Sequence, residues 1–235
     1  VWKEAFKGLK LLNIGIGGDR TENLLWRGLN GDLDNYKARM FVLMIGSNNV
    51  RSNDPLETAA GVKAILDLLK AKHPESKIVL YAIFPRGEKA DDGLRVKNEK
   101  VNAIIREYAD GETVFWRDIN AQFLNADGTM ERKMMPDFLH PTPTGYTIWA
   151  NDLKPLIEKF RAQPMDAKNL KTKETEITKL LAIDDTLEKK FAWKPVPAIT
   201  PEAPLLHDGR INYFQEIRNR IAAASNGVDV VFYSD

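Results

Sequence analysis

Five short apolar runs, at 11–14, 41–45, 77–84, 113–116 and 228–233, are rich in strand formers and show no polar alternation. A strand that faces water on one side alternates apolar with polar residues, so continuous runs predict strands buried on both faces. Between the runs, apolar residues recur at three- and four-residue steps, which is helical periodicity. The clearest case is 55–71, where Asp54, Pro55 and Glu57 supply an N-cap, a first-turn proline and a capping-box acid ahead of Val62, Ile65, Leu66 and Leu69. Further helices are predicted by Val101, Ile104, Ile105 and Tyr108, by Tyr146, Trp149, Leu153, Leu156 and Phe160, with a kink at Pro155, and by Phe214, Ile217, Ile221 and Ala224. Strands alternating with helices predict right-handed crossovers and a three-layer α/β/α sandwich around a parallel sheet, with function at the carboxyl ends of the strands.

The chain has 235 residues, 43% of them hydrophobic and 29% charged, enough for one sizeable core with an appendage. Lys and Arg total 34 against 33 Asp and Glu, so no net field favours nucleic acid or an anionic membrane. Cysteine is absent, which excludes a disulfide scaffold and a thiol nucleophile but does not separate secreted from cytosolic proteins. No stretch approaches the roughly 18 apolar residues of a membrane span. A start at Val1 without a signal peptide or initiator Met reads as a processed or trimmed chain. From 161 to 204 the character changes to a charged stretch, an amphipathic pattern through Ile177, Leu180, Leu181, Leu187 and Phe191, and the proline-rich KPVPAITPEAP; this is read as a connector.

Short polar motifs follow the strands or precede the last core helix: NIGIGGDRT from Asn13, MIGSNN from Met44 and MPDFLHPTPTGY from Met135. In an open α/β sheet these converge on one crevice. In D-x-x-H, the Asp137 carboxylate can accept the His140 Nδ1 proton and leave Nε2 as a base; the same spacing also serves surface and capping roles. The glycines of GIGGD let a backbone N–H approach a ligand, and the Asn48 amide could donate to the same atom as an oxyanion hole. A plain tight turn and a phosphate cradle are the other readings of that loop. Ser47 lacks the G-x-S-x-G elbow and is read as structural. His73 and His207 are expected to be solvated, Trp26 to be core, and the carboxylates of EKADD to lie in a solvated loop; no metal-ligand cluster emerges.

Taken in order, NIGIGGDRTENLLWR, VLMIGSNN, IFPRGE and PDFLHPTPTGY resemble the SGNH (GDSL-type esterase) superfamily, in its platelet-activating-factor acetylhydrolase-like branch. The resemblance covers 1 to about 160 and, separately, about 205 to 235. It implies a flavodoxin-like five-stranded sheet of order 2-1-3-4-5 and a serine esterase acting on a short acyl ester, acetyl above all, with a carbohydrate as one candidate for the alcohol. It further implies that Gly18 and Asn48 are oxyanion donors, that Asp137 and His140 are the acid and base, and that no cofactor or metal is needed. The substrate class implied favours a secreted or periplasmic protein. The family's opening block, a strand ending in G-D-S with the serine as nucleophile, does not precede Val1; VWKEAF resembles what comes shortly after it. Instead INYFQEIRNRIAAASNGVDVVFYSD resembles the opening helix and first strand, with Ser234 and Asp235 at the places of the G and D. The nucleophile is therefore expected after Asp235, on a loop of about ten residues that spans at most about 35 Å back to Val1. The domains so read are a core at 1–160, the connector, and a helix and first strand at 205–235 that complete the core by permutation, by exchange between chains or as the start of a tandem copy. Two rival functions are a catalytically incomplete carbohydrate- or partner-binding module of the same fold, and a flavodoxin-like nucleotide or phosphate binder.

Overall fold

A computed structural model describes residues 2–165, 217, 219–224 and 227–234. The five apolar runs all become strands: β1 (Leu11–Asn13), β2 (Ala38–Met44), β3 (Lys77–Tyr81), β4 (Val114–Arg117) and β5 (Val228–Ser234). They form one parallel sheet in the order β1-β5-β2-β3-β4. Counted with the C-terminal strand first, this is the order 2-1-3-4-5. The last strand in sequence is thus next to the first, pairing Leu12 with Val231 on one side and Phe41 with Val231 on the other. A central strand satisfies its backbone N–H and C=O groups on both sides, which an edge strand cannot do.

Burial on both sheet faces explains the unbroken apolar runs. Phe41, Leu43, Ile78, Leu80, Val231 and Tyr233 project into one core, against α2 (Thr21–Arg27), α3 (Pro55–Lys72), α4 (Gly93–Ile105) and the helical residues 217 and 221. The alternate residues Met40, Val42, Val79, Tyr81, Val230 and Phe232 project into the second core, against Phe6, just after α1 (Trp2–Ala5), and α5 (Pro143–Arg161). The second core is aromatic, with Phe232 6.1 Å from Phe6 and 6.2 Å from Trp149 between ring centroids. Asp54 caps α3 as its sequence predicts, accepting from Glu57 N at 2.8 Å while the Glu57 carboxylate accepts from Asp54 N at 3.1 Å. No described helix is long and apolar enough to cross a membrane.

One expectation needs revision, and another falls outside the described residues. α5 continues from Pro143 to Arg161 with Pro155 inside it. Its other residues hold the helix through a buried face of Trp149, Leu153, Ile157 and Phe160. His73 is not solvated: it is 3% exposed, packs against Tyr36 and Phe41, and its Nε2 lies 2.9 Å from the Leu33 carbonyl. The end of α3 turns inward at its C-cap, so a residue whose neighbours are polar is buried against β2. The connector, with its amphipathic pattern and His207, lies outside the described residues from 166 onward, as does Phe214.

The C-terminal strand is locked to the N-terminal half by close packing at Gly28, where an added Cβ would meet the Tyr233 hydroxyl at 2.8 Å, Leu68 Cδ2 at 2.9 Å and Leu33 Cδ1 at 3.1 Å. Gly28→Ala is expected to destabilise the protein by about 1–3 kcal/mol, read from a urea midpoint, because such crowding forces side chains off their rotamers. An unchanged midpoint would mean that Tyr233 does not pack there.

Candidate active site

Three loops at the carboxyl ends of β1, β2 and β3 and the turn before α5 enclose a cleft of about 880 Å³. Gly15, Gly17 and Gly18 line it from the β1 loop, Ser47 and Asn48 from the β2 loop, Phe84 from the β3 segment, and Leu139 and His140 from the α5 approach. Phe232 of β5, Trp149 and Arg220 complete the wall. The structure therefore brings Gly18, Asn48 and His140 to one cavity, and Asp137 joins them through the imidazole.

Asp137 organises its own turn. One carboxylate oxygen accepts from the backbone N–H of Leu139 at 3.1 Å and of His140 at 2.8 Å, and the other lies 2.6 Å from His140 Nδ1. That contact places the ring proton on Nδ1 and leaves Nε2 as the acceptor. The two His140 bonds, backbone first and then side chain, hold the Asp137 carboxyl down at about 2. Between the pair, Phe138 takes a left-handed φ of 56°, which a non-glycine residue adopts only when neighbours over-determine it. Its carbonyl accepts from Gly87 N at 2.9 Å, and the Arg132 guanidinium sits 4.5 Å over its ring. Both Asp137 and His140 are well exposed, with 74% of the His140 side chain accessible.

The opposite side of the cleft is set by rigid loops. Gly18 has φ +86°, which the left-handed region allows without strain only to glycine. The Asn48 amide donates to the Asp19 carbonyl at 3.0 Å, tying the β2 loop to the β1 loop. Its neighbour Asn49 is buried at the start of α2, where it accepts from Thr21 N at 2.9 Å and donates to Thr21 Oγ1 at 3.0 Å. The two asparagines of GSNN are thus separated in role by position, one lining the cleft and one fastening the loop.

Several supporting residues were not singled out by sequence reasoning. Arg27 is 1% exposed, ion-paired with Asp19 at 2.5 Å and with Asp32, bonded to the Ile14 carbonyl at 2.8 Å, and 5.7 Å from the Tyr233 ring centre. Burial alone would push the guanidinium down, but the Asp19 and Asp32 carboxylates and the neighbouring Tyr233 outweigh it and hold it above its ordinary value. Its signal was its place three residues after Leu24, on the buried stripe of α2. Arg86, also buried, donates to the Ser47 carbonyl at 2.7 Å and its hydroxyl at 3.3 Å, so Ser47 lines the cleft while bonded to its surroundings. Arg95 donates to the Arg86 carbonyl at 2.8 Å and to those of Gly87 and Gly128. Trp26 is half-buried, and Glu88 to Asp91 are exposed, while Asp92 caps α4 through Leu94 N and Arg95 N. Among the described residues no group of three His, Asp or Glu is placed to hold a metal ion.

Residues 1–148 match the GDSL-like Lipase/Acylhydrolase family. The chain belongs to this family. Among curated proteins it is 41% identical over 169 residues to "Platelet-activating factor acetylhydrolase IB subunit alpha2" of Rattus norvegicus, covering 72% of this chain and 73% of the relative. The Homo sapiens alpha1 subunit is 34% identical over 164 residues, covering 69% and 70%. Among solved structures, a GDSL-like lipase from Bacteroides thetaiotaomicron superposes with TM-score 0.52 at 22% identity, covering 62% of this chain and 74% of that one. A carbohydrate esterase family 3 protein from Talaromyces cellulolyticus gives TM-score 0.51 at 19% identity over 63% and 70%. These two share the α/β fold. Membership makes this GDSL-family chain a carboxylic ester hydrolase, and the cleft at the strand ends is where its fold gathers reactive groups.

Because the Asp137 carboxyl ionises near 2 rather than at the ordinary value of about 3.9, its bonds contribute stability above the unfolded value that disappears only as pH falls through the folded one. A carbon-detected NMR titration of Asp137 should show a midpoint near 2. A midpoint near the ordinary value would mean that the DFLH turn is not bonded as described.

Proposed function

We propose that this GDSL-family chain hydrolyses short acyl esters, acetyl esters foremost, through a Ser-His-Asp triad. The observation that carries the reading is the joint placement of Gly18, Asn48 and His140 on one cleft, with Asp137 on His140 Nδ1 at 2.6 Å. The names of the 41% and 34% identical relatives, both acetylhydrolase subunits, support acetyl as the acyl group.

In this reading the nucleophile is a serine on the segment that continues from β5, whose carboxyl end lies between those of β1 and β2. Its Oγ attacks the acyl carbon as its proton passes to His140 Nε2. Asp137, ionised, steadies the imidazolium through Nδ1. The carbonyl oxygen takes up the electron pair and is held by the Gly18 N–H and the Asn48 side-chain N–H. Collapse expels the alcohol, which receives the proton from His140. Water then repeats the sequence on the acyl-enzyme, releasing the carboxylic acid and restoring the serine. The Asn48 bond to the Asp19 carbonyl and the left-handed Gly18 support the oxyanion assignment, since both donors are oriented before substrate arrives.

Two measurements on full-length protein test this. Asn48→Ala should lower kcat with an acetyl ester by on the order of 100-fold or more while the melting temperature stays close to the parent's; undiminished turnover would remove Asn48 from the site. A serine-directed phosphonate should add one covalent label, mapped by mass spectrometry to a serine that follows β5. A label on Ser47 would overturn the assignment of the nucleophile.

A further inference from the structure

The motif IFPRGE, on the segment that follows β3, supplies no triad residue, yet its Arg86 and Gly87 each reach a different half of the candidate active site. Arg86 is 5% exposed and donates to the Ser47 carbonyl at 2.7 Å and to the Ser47 hydroxyl at 3.3 Å. That carbonyl belongs to the peptide joining Ser47 to Asn48, so the guanidinium fixes the main chain from which the Asn48 amide projects. On the other side, Gly87 N donates to the Phe138 carbonyl at 2.9 Å. The nitrogen of that same peptide, Leu139 N, donates to the Asp137 carboxylate at 3.1 Å. One peptide group is therefore bonded at both ends, and turning it would break a bond that holds Asp137. It needs holding, because Phe138 has a left-handed φ of 56°, which a residue other than glycine sustains only when its neighbours enforce it.

Arg86 and Gly87 are themselves held from α4. Arg95, 1% exposed, donates Nε to the Arg86 carbonyl at 2.8 Å and Nη2 to the Gly87 carbonyl at 2.5 Å, so its planar fork grips two successive peptides. Gly87 has φ +75°, and a Cβ there would meet Asp92 Cβ at 2.6 Å and Oδ2 at 2.7 Å. Asp92 is the N-cap of α4, accepting from Leu94 N at 3.0 Å and Arg95 N at 3.1 Å. The segment is thus wedged between the start of α4 and the site, with no room for a side chain on the residue that bonds Phe138. Given the Ser-His-Asp reading, we propose that Arg86 and Gly87 are positioning residues for acyl transfer, a clamp anchored by Arg95 that sets the oxyanion donor Asn48 against the Asp137–His140 pair. Neither lines the cleft; Arg86 acts through the Ser47–Asn48 peptide and Gly87 through the Phe138–Leu139 peptide. An error of about 1 Å in such placement costs on the order of 100-fold in rate. The oxyanion and the imidazolium exist only along the reaction, so the clamp governs kcat and not KM.

The test compares variants of the full-length protein, with Asn48→Ala as the control for the triad reading. Arg86→Met should lower kcat with an acetyl ester by about 10–100-fold at unchanged KM, and Arg86→Lys, which keeps a donor, should recover part of that loss. Gly87→Ala should raise the Asp137 midpoint, followed by carbon-detected NMR, from about 2 toward the ordinary value of about 3.9 as the Leu139 and His140 N–H bonds loosen. If Gly87→Ala does not fold, the parent decides the point: a scalar coupling across the hydrogen bond from Gly87 N to the Phe138 carbonyl carbon is expected, and its absence overturns the clamp. Unchanged kcat in Arg86→Met, a loss confined to KM, no recovery in Arg86→Lys, or an Asp137 midpoint still near 2 in folded Gly87→Ala overturns it too, and an impaired Asn48→Ala then leaves the triad reading standing. Undiminished turnover in Asn48→Ala would instead strike the triad reading and the catalytic role of the clamp with it, while the Asp137 midpoint would still show whether Gly87 holds the turn.

Discussion

Everything in this molecule depends on how β5 is satisfied on both sides. The strand nearest the end of the described chain is inserted between β1 and β2, so residues more than 200 positions apart in sequence share a ladder, as Asn13 and Phe232 do. Without that strand, the facing backbone groups of β1 and β2 would lose their partners, and both cores would lose a wall of Val230, Val231, Phe232 and Tyr233. Tyr233 carries the coupling further: its hydroxyl donates to the Leu24 carbonyl at 2.5 Å, and its ring lies beside Arg27, which is itself held between Asp19 and Asp32. A buried guanidinium needs its charge compensated, and here both carboxylates and the Ile14 carbonyl engage its two terminal nitrogens.

That network adjoins the candidate cleft through Asp19, next to Gly18. Asp19 receives the Arg27 pair through its side chain and the Asn48 amide through its carbonyl, so the β1 and β2 loops share one buried anchor. Arg86 and Arg95 do the same for the β2 and β3 loops by binding carbonyls. The supporting arginines are buried, where a hydrogen bond is strong and its geometry fixed, while Asp137 and His140 stay exposed. Donors oriented in advance are what the proposed acyl transfer requires, since its charge develops only in the reaction.

The secondary structure was readable because it is encoded locally. Continuous apolar runs require two buried faces, and Asp54, Pro55 and Glu57 specify the start of α3 within one turn. The cleft residues were readable from short motifs, since D-x-x-H and GIGGD make contacts over three or four positions, as the Asp137 bonds to Leu139 and His140 show. Arg27 and His73 escaped because nothing local separates a buried charge from a solvated one. Arg27 has the helical spacing of the core stripe, and His73 sits among polar neighbours yet faces Phe41 of β2.

By itself, then, the sequence determined the α/β alternation, the helix caps and the residues of each strand-end loop, because each depends on neighbours a few positions away. The tertiary structure decided that β5 is central and that Gly18, Asn48 and His140 face one cavity. Those outcomes are contacts between segments tens to hundreds of residues apart, and only packing selects among the partners that such distances allow.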